Sequence, residues 1–248
     1  MTRFGPLCTA FHLADQRDAD PQEIDWYATR LPRDAGPVLD AMCGLGRVLV
    51  PLSERGFSVH GVDASGPMLA ECETRLAANG SVPKLYRQEM AQLNLPFRYA
   101  AAYIAGSSLL LIADRDIARS ALERIRAHLV APAILLLDMH IPEEALHAPA
   151  APLVEFCAVR LADGSRIMLR SETRVDTHAR TIDRNLRFEK RSASGSITRE
   201  DEIRASTWYD ADGIRALLAE SGYADVVIVP PATNDRGETA FGVTARAA

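Results

Sequence analysis

Two carboxylates and a pair of glycines are the residues of this 248-residue chain best suited by type and spacing to do chemistry. Asp40 stands four residues before Gly44, Gly46 follows, and Asp63 comes about 20 residues beyond that turn. Without Cβ atoms, Gly44 and Gly46 permit a tight turn and let a ligand touch main chain. A helix starting behind them presents free N–H groups, which in a dinucleotide loop of pattern G-x-G-x-x-G receive a pyrophosphate. Here Leu49 holds the place of the third glycine, and a carboxylate at Asp40 would repel a pyrophosphate but attract an ammonium or a sulfonium. Asp63 falls where such sheets set an acid on ribose hydroxyls, a charge-assisted bond of roughly 1.5 to 3 kcal/mol. Either acid alone could serve as a helix cap; at the ends of two successive strands the pair favours a ligand site.

Those side chains require strands that end where the acids stand. Residues 37–43 form a brief apolar run ending in glycines, and 47–54 carry helical apolar spacing at Val48, Leu49 and Leu52. The pattern recurs with a strand at 57–63, a helix at 67–79 closed by Gly80, short strands at 85–88 and 100–105, a helix at 114–129, and a strand at 133–138 that is apolar up to its final Asp138. Such alternation predicts a parallel sheet. From 152 to 206 the rhythm breaks into alternating segments at 159–161, 166–173 and 181–190, separated by turn residues, which reads as an antiparallel insertion. A helix at 210–221, a strand at 226–229, a polar loop at 230–238 and a last strand at 241–244 close the sheet with a hairpin. Ahead of all this, Asp20 before Pro21 opens a short helix with an amphipathic stretch at 24–31. The fold class is α/β: a doubly wound, mostly parallel seven-stranded sheet with a reversed C-terminal hairpin and an antiparallel β insertion after the fifth strand. Within a single domain, 1–35 is expected to form a helical cap, 36–150 the binding core, 151–207 the insertion and 208–248 the closing helix and hairpin.

The totals narrow the partners. A net charge of −5 opposes a polyanion such as nucleic acid, and the densest basic stretch, 180–191, is interleaved with Asp183 and Glu189. The start of the chain lacks the marks of a leader, and no apolar run approaches the roughly 20 residues of a membrane span, so a cytoplasmic protein without membrane contact is expected. The four cysteines are scattered, with no C-x-x-C pair, and suggest reduced thiols and no metal.

Taken in order, these features resemble class I S-adenosylmethionine-dependent methyltransferases of the small-molecule type, whose first motif reads acid-x-G-x-G-x-G and whose second acid closes the second strand. The segment 62–69, with Asp63, Ala64 and Met68, is similar to the family's stretch after that strand. Gln88-Glu89-Met90-Ala91 resembles the turn whose acid meets the adenine amino group, and 105–109 sits at the family's fourth motif. Met42 departs from the pattern where the first glycine is usual, and Glu89 replaces the more frequent Asp. The resemblance implies S-adenosylmethionine as cofactor. It assigns cofactor contacts to Asp40, Cys43, Gly44, Gly46 and Arg47 in the first motif, to Asp63, Ala64 and Met68 in the second, and to Glu89, Met90 and Ser107 further on. Tyr27 and Trp26, from the N-terminal helix, are placed to cover the methionine end.

Methyl transfer from a sulfonium is an in-line displacement in which orientation alone supplies roughly 7 to 11 kcal/mol of the barrier. An oxygen or protonated amine acceptor still needs a group to take its proton, and His140, just past the fifth strand, is the catalytic candidate beside Ser107, Ser108 and Met139. The insertion is expected to stand over this opening as a lid. The expected activity is transfer of a methyl group to nitrogen or oxygen of a small molecule by a monomer or homodimer. An NAD(P)-dependent oxidoreductase and a non-catalytic S-adenosylmethionine-binding partner protein are the competing readings. A nucleic-acid methyltransferase lacks its Asn-Pro-Pro-aromatic segment here.

Overall fold

The strand β1 (Val38–Ala41) is apolar at three of its four positions, and all four are buried, because both its faces are covered. Leu39 and Ala41 turn to one face and Val38 and Asp40 to the other. The computed structural model describes residues 4–15, 19–80, 82, 84–147, 149–232 and 239–247. Along the chain come α1 (Pro6–Asp15), α2 (Pro21–Ala28), β1, α3 (Leu49–Glu54), β2 (Val59–Asp63), α4 (Gly66–Ala78), β3 (Leu85–Arg87), β4 (Tyr99–Ile104), α5 (Arg115–Ala127) and β5 (Leu129–His140). They are followed by α6 (Glu143–His147), β6 (Leu153–Arg160), β7 (Arg166–Asp176), β8 (Thr181–Arg191), β9 (Ile197–Thr207), α7 (Ala211–Glu220), β10 (Tyr223–Val229) and β11 (Ala240–Ala247). Two units emerge: Met1–Arg17 with Pro142–Trp208, and Asp18–Ile141 with Tyr209–Ala248.

The larger unit holds a seven-stranded sheet in the order β10-β11-β5-β4-β1-β2-β3. β1 pairs in parallel with β2 and β4, and β11 runs antiparallel to both β5 and β10, which is the reversed hairpin expected from the sequence. One face packs on α5 through Ala118, Ala121, Leu122 and Ile125 and on α7 through Ile214, Leu217 and Leu218. Burying a Leu or Ile there contributes roughly 1.5 to 3 kcal/mol each. The other face packs on α2 and α3 through Ile24, Trp26, Tyr27, Val48 and Leu52. Capping carboxylates start α2, α5 and α7: Asp20 accepts from Gln22 N, Asp114 from Ile117 N and Asp210 from Gly213 N. Residues 233–238 of the expected polar loop lie outside the described residues. His140, expected just past the fifth strand, is instead the last residue of β5, because pairing with β11 extends to Ala240 opposite His140.

The smaller unit holds the insertion, a four-stranded antiparallel sheet in the order β6-β7-β8-β9, one strand richer than the three segments its apolar alternation marks. The fourth, β9, reads ITREDEIRAST and is too charged to carry a strand signal. Residues 1–35 divide between the units. α1 joins the insertion through Cys8 and Phe11, packed with Ile167, Leu186 and Phe188, whereas α2 belongs to the large sheet. No capping side chain precedes Pro6; the main-chain N–H groups of Leu7 and Cys8 donate to Glu200 and that of Gly5 to Glu202, both on β9.

The turn after β1 is built from left-handed residues, Met42 (φ 66°), Gly44 (53°) and Gly46 (74°). A Cβ on Gly46 would lie 2.5 Å from Cys72 Sγ, itself fully buried in the cluster with Cys43, Leu49 and Leu69. We predict that Gly46→Ala costs about 2 kcal/mol or more, combining left-handed strain with overpacking. Gly80→Ala, with φ 71° and open space around its Cβ, should cost only the strain, about 1 kcal/mol. Urea denaturation of both variants checks this, and equal shifts in midpoint would mean that the Cys72 side chain yields.

Candidate functional site

At the carboxyl end of β1 the chain seals a carboxylate away from water. Asp40 is 2% exposed, its neighbours across the sheet are Gly61 on β2 and Tyr103 on β4, and its Oδ1 has no hydrogen-bond partner. The buried hydroxyls of Tyr103 and Tyr27 likewise have no hydrogen-bond partner among the described residues. Tyr27 comes from α2, its ring 5.0 Å from that of Tyr103. Burial drives the Asp40 carboxyl well above the usual carboxylate range. The Tyr103 hydroxyl relieves part of that rise, the Asp63 charge adds to it, and Arg47 relieves some more.

Arg47 closes this region from the far side of the glycine turn. Its Nη2 donates to Glu23 Oε1 at 2.6 Å and its Nη1 to Oε2, a fork on a carboxylate that is itself 2% exposed. Burial opposes the Arg47 charge, and the Glu23 hydrogen bonds outweigh that, so the guanidinium is held more firmly protonated than usual. The Tyr27 phenol is raised first by burial and then by the carboxylates of Asp138, Glu23 and Asp40. Three acids thus surround one guanidinium, an arrangement that a positively charged ligand could complete.

Asp63 is buried differently. Its Oδ2 accepts from Gly44 N at 2.9 Å and its Oδ1 from Ser65 N at 2.8 Å, so the carboxylate is fixed by main chain. Burial raises it, the N–H groups of Ser65, Gly44 and Ala64 pull it back, and the nearby Glu89 raises it again, which places Glu89 within electrostatic reach. Ser65 Oγ caps α4 by accepting from Met68 N, and the Met68 sulfur lies 3.4 Å from where a Gly44 Cβ would be. Met90 is buried in the main core, the Ala64 carbonyl accepts from Arg87, and the Cys43 thiol is packed with Leu49 and Cys72. Beyond β4, Ser107 is left-handed (φ 57°), buried, and 2.7 Å from His140 Nδ1 through its Oγ.

The residues expected from the sequence therefore gather by neighbouring strand ends: Tyr27 of α2 with Asp40 and Arg47 in one acid-rich cluster, Gly44, Asp63, Met68 and Glu89 around the end of β2, and Ser107 just past β4 with His140 at the end of β5. Sequence reasoning missed Glu23, Tyr103 and Asp138 as members. In the sequence Asp138 stands only as a strand end. Tyr103 was hidden in an apolar run, and Glu23 has no local signal because its partner lies 24 residues on.

Comparison with known proteins agrees with this geometry. The methyltransferase domain family matches residues 38–131, which span the glycine turn, both acids and the start of β5. A protein of Geobacillus sp. (strain WCH70) named as a candidate methyltransferase is 25% identical over 198 residues, 80% of this chain and 78% of that one. Among solved structures, an S-adenosylmethionine-dependent methyltransferase from Clostridium acetobutylicum ATCC 824 superposes with a TM-score of 0.76 at 19% identity, covering 95% of this chain and 96% of its own. The sugar N-methyltransferase KedS8 from Streptoalloteichus sp ATCC 53650 does so with a TM-score of 0.70 at 20% identity, covering 91% and 87%. At these identities the likeness to the solved structures is one of fold. Sheet order, glycine turn and paired strand-end acids converge on the fold of S-adenosylmethionine-dependent methyltransferases, and residues 38–131 match a methyltransferase domain.

Proposed function

We propose that the chain methylates a nitrogen or oxygen of a small-molecule acceptor, binding S-adenosylmethionine at the carboxyl ends of β1 and β2. The observation that carries the cofactor site is the sealed Asp40 carboxylate, whose Oδ1 has no hydrogen-bond partner among the described residues. An ionised carboxylate in that setting costs several kcal/mol unless a cation or donor meets it, and the ligand's ammonium and sulfonium are such groups. The fit extends to the next strand, where Asp63 is oriented by two main-chain N–H groups while its remaining lone pairs suit ribose hydroxyls. Gly44 permits close approach of the main chain, Met68 offers an apolar surface below it, and Glu89 suits the adenine amino group.

When bound, S-adenosylmethionine supplies a methyl carbon made electrophilic by a positively charged sulfur. Asp40, Tyr27 and Tyr103 would hold positive charge at the methionine end, and α2, packed through Trp26 and Tyr27, would exclude water. Asp63 and Glu89 would hold the opposite end, and fixing both ends would orient the methyl group for in-line attack, which can supply roughly 7 to 11 kcal/mol of the barrier. His140, at the end of β5, takes the proton released by the acceptor. A small-molecule amine or hydroxyl is supported by the fold shared with the sugar N-methyltransferase KedS8 and by the net charge of −5, which opposes a polyanionic substrate.

Two substitutions test the reading. Asp40 has a folded pKa above its unfolded one, so on raising the pH the unfolded chain loses this proton first, and the carboxyl lowers stability progressively above about 3.8. We therefore expect Asp40→Asn to be more stable than wild type at neutral pH, with the gain vanishing toward pH 4, and to bind S-adenosylmethionine at least about tenfold more weakly. Thermal melts across a pH series with titration calorimetry give both numbers. Equal affinity would remove Asp40 from the site, and a loss of stability at neutral pH would mean that its ionised form is satisfied by the protein. For Asp63→Ala the expected result is a dissociation constant raised about tenfold or more for both S-adenosylmethionine and S-adenosylhomocysteine; calorimetry showing unchanged binding of either would sink the ribose assignment.

A further inference from the structure

The loop that follows β3 carries Glu89, and the residue beside that acid holds the loop shut. Gln88 Nε2 donates to the Asn94 carbonyl at 3.0 Å, and Gln88 Oε1 accepts from Asn94 N at 2.8 Å. A main-chain N–H can only donate and a carbonyl only accept, so the two partners fix which way round the amide lies. Between these ends runs a single 3-10 turn, Met90–Gln92, with Met90 and Leu93 buried in the main core. Behind the clamp, Gln88 N donates to the Asp63 carbonyl at 3.1 Å. Ahead of it, Leu95 N donates to Nε2 of the buried His128, whose Nδ1–H donates to the Arg124 carbonyl at 2.8 Å. Apolar burial thus holds the inner residues of the loop, and the Gln88 amide closes its exposed side. Glu89 is the one charged residue between Gln88 and Asn94, and its carboxylate caps none of the N–H groups of the turn it precedes.

We propose that Gln88 is a positioning residue for the nucleobase end of the cofactor: by clamping Asn94 it fixes Glu89 at a set distance from Asp63, so that one ligand meets both acids at once. This role rests on the proposed cofactor site, in which Asp63 meets the ribose and Glu89 the adenine amino group. Ribose and base are joined by a single bond, so the second acid adds full affinity only where both carboxylates already stand at the ligand's own spacing. Asp63 serves that spacing twice: its carboxylate is aimed by Gly44 N and Ser65 N, and its carbonyl carries Gln88 N. In an unclamped loop Glu89 would stay charged and nearby but would turn to water, losing its aim at the exocyclic group. A carboxylate accepts from a 6-amino group and repels a 6-oxo group, so the effect falls on selection of the base and not on contact with the ribose.

Titration calorimetry of the full-length protein with S-adenosylhomocysteine and with S-inosylhomocysteine, its 6-oxo counterpart, reads this as a ratio of dissociation constants. Wild type should bind the amino compound about tenfold tighter or more. In Gln88→Ala that ratio is expected to fall at least about threefold, with a urea midpoint close to wild type because the clamp is exposed. Glu89→Gln should lower the ratio as well, and adding Gln88→Ala to it should change the ratio no further, as for residues acting through one group. Gln88→Met, which keeps the length of the side chain and loses both bonds, takes the place of Gln88→Ala should that variant fail to fold. A ratio unmoved by the Gln88 substitution, even with both affinities lowered together, overturns the positioning role and leaves the cofactor site standing. A wild-type ratio near one, with S-adenosylhomocysteine bound, removes Glu89 from the base and the proposal with it. Absent binding of S-adenosylhomocysteine to wild type defeats the cofactor reading itself.

Discussion

A carboxylate buried on a strand between two covered faces is expensive, and the folding of the large unit is arranged around carrying that expense at Asp40. β1 places it, because alternation sends Leu39 and Ala41 into the core under α5 and α7 and leaves Val38 and Asp40 on the face under α2. Across the sheet the row is completed by Gly61, which has no side chain to offer, and by Tyr103, whose hydroxyl relieves part of the rise in the Asp40 carboxyl. Arg47 is the nearby guanidinium, yet its fork is committed to Glu23. The surrounding apolar packing of Trp26, Tyr27 and Leu31 with Val48 and Leu52 supplies the stability that lets such a group remain underpaired.

The Glu23 and Arg47 pair shows how one interaction serves both fold and site. It ties α2 to the segment just past the glycine turn, so the helix that covers Asp40 is fastened by the charge that would otherwise neutralise it. A buried ion pair of this kind is weak support for stability in itself, since desolvation of both partners offsets their attraction. Its clearer effect is on electrostatics. With Arg47 engaged by Glu23, the field at Asp40 and Tyr27 stays negative, and Asp138 adds to it from β5. A neutral or anionic ligand would gain nothing there, while a cationic one would be discriminated by charge before shape is considered.

Much of this was legible in the sequence. The alternation of apolar strands with helices fixes a parallel sheet because both faces need cover, and Asp40 and Asp63 are conspicuous since polar residues are rare at the ends of such runs. The same logic failed where the cause was long-range. α1 has no capping residue of its own and is capped by Glu200 and Glu202, nearly two hundred residues away. β9 is charged on both faces and is held by its ladder to β8. Glu23 reads as an ordinary acid in the first turn of a helix, and only the fold reveals its burial against Arg47. Met42 carries the reverse lesson. It breaks the glycine pattern, yet it adopts φ 66°, so the backbone form that glycine usually supplies there is kept and the departure costs strain without altering the turn.

The two strand-end acids finally differ in a way that assigns them different work. Both are raised by burial, but Asp63 has each oxygen on a main-chain N–H, one of them from the glycine turn itself, whereas Asp40 has an oxygen with no hydrogen-bond partner among the described residues. A carboxylate already oriented by fixed dipoles loses little entropy on meeting a hydroxyl and is suited to reading geometry. One left without partners gains most from meeting charge and is suited to supplying affinity. Because Gly44 N reaches Asp63, the turn that lets a ligand approach main chain also aims the second acid, and any change that moves the turn must move both. The coupling runs through the seven residues from Asp40 to Gly46: the hydrogen bond from Gly44 joins the turn after β1 to the acid that ends β2, so in the proposed site main-chain approach and the ribose acid would form one rigid element.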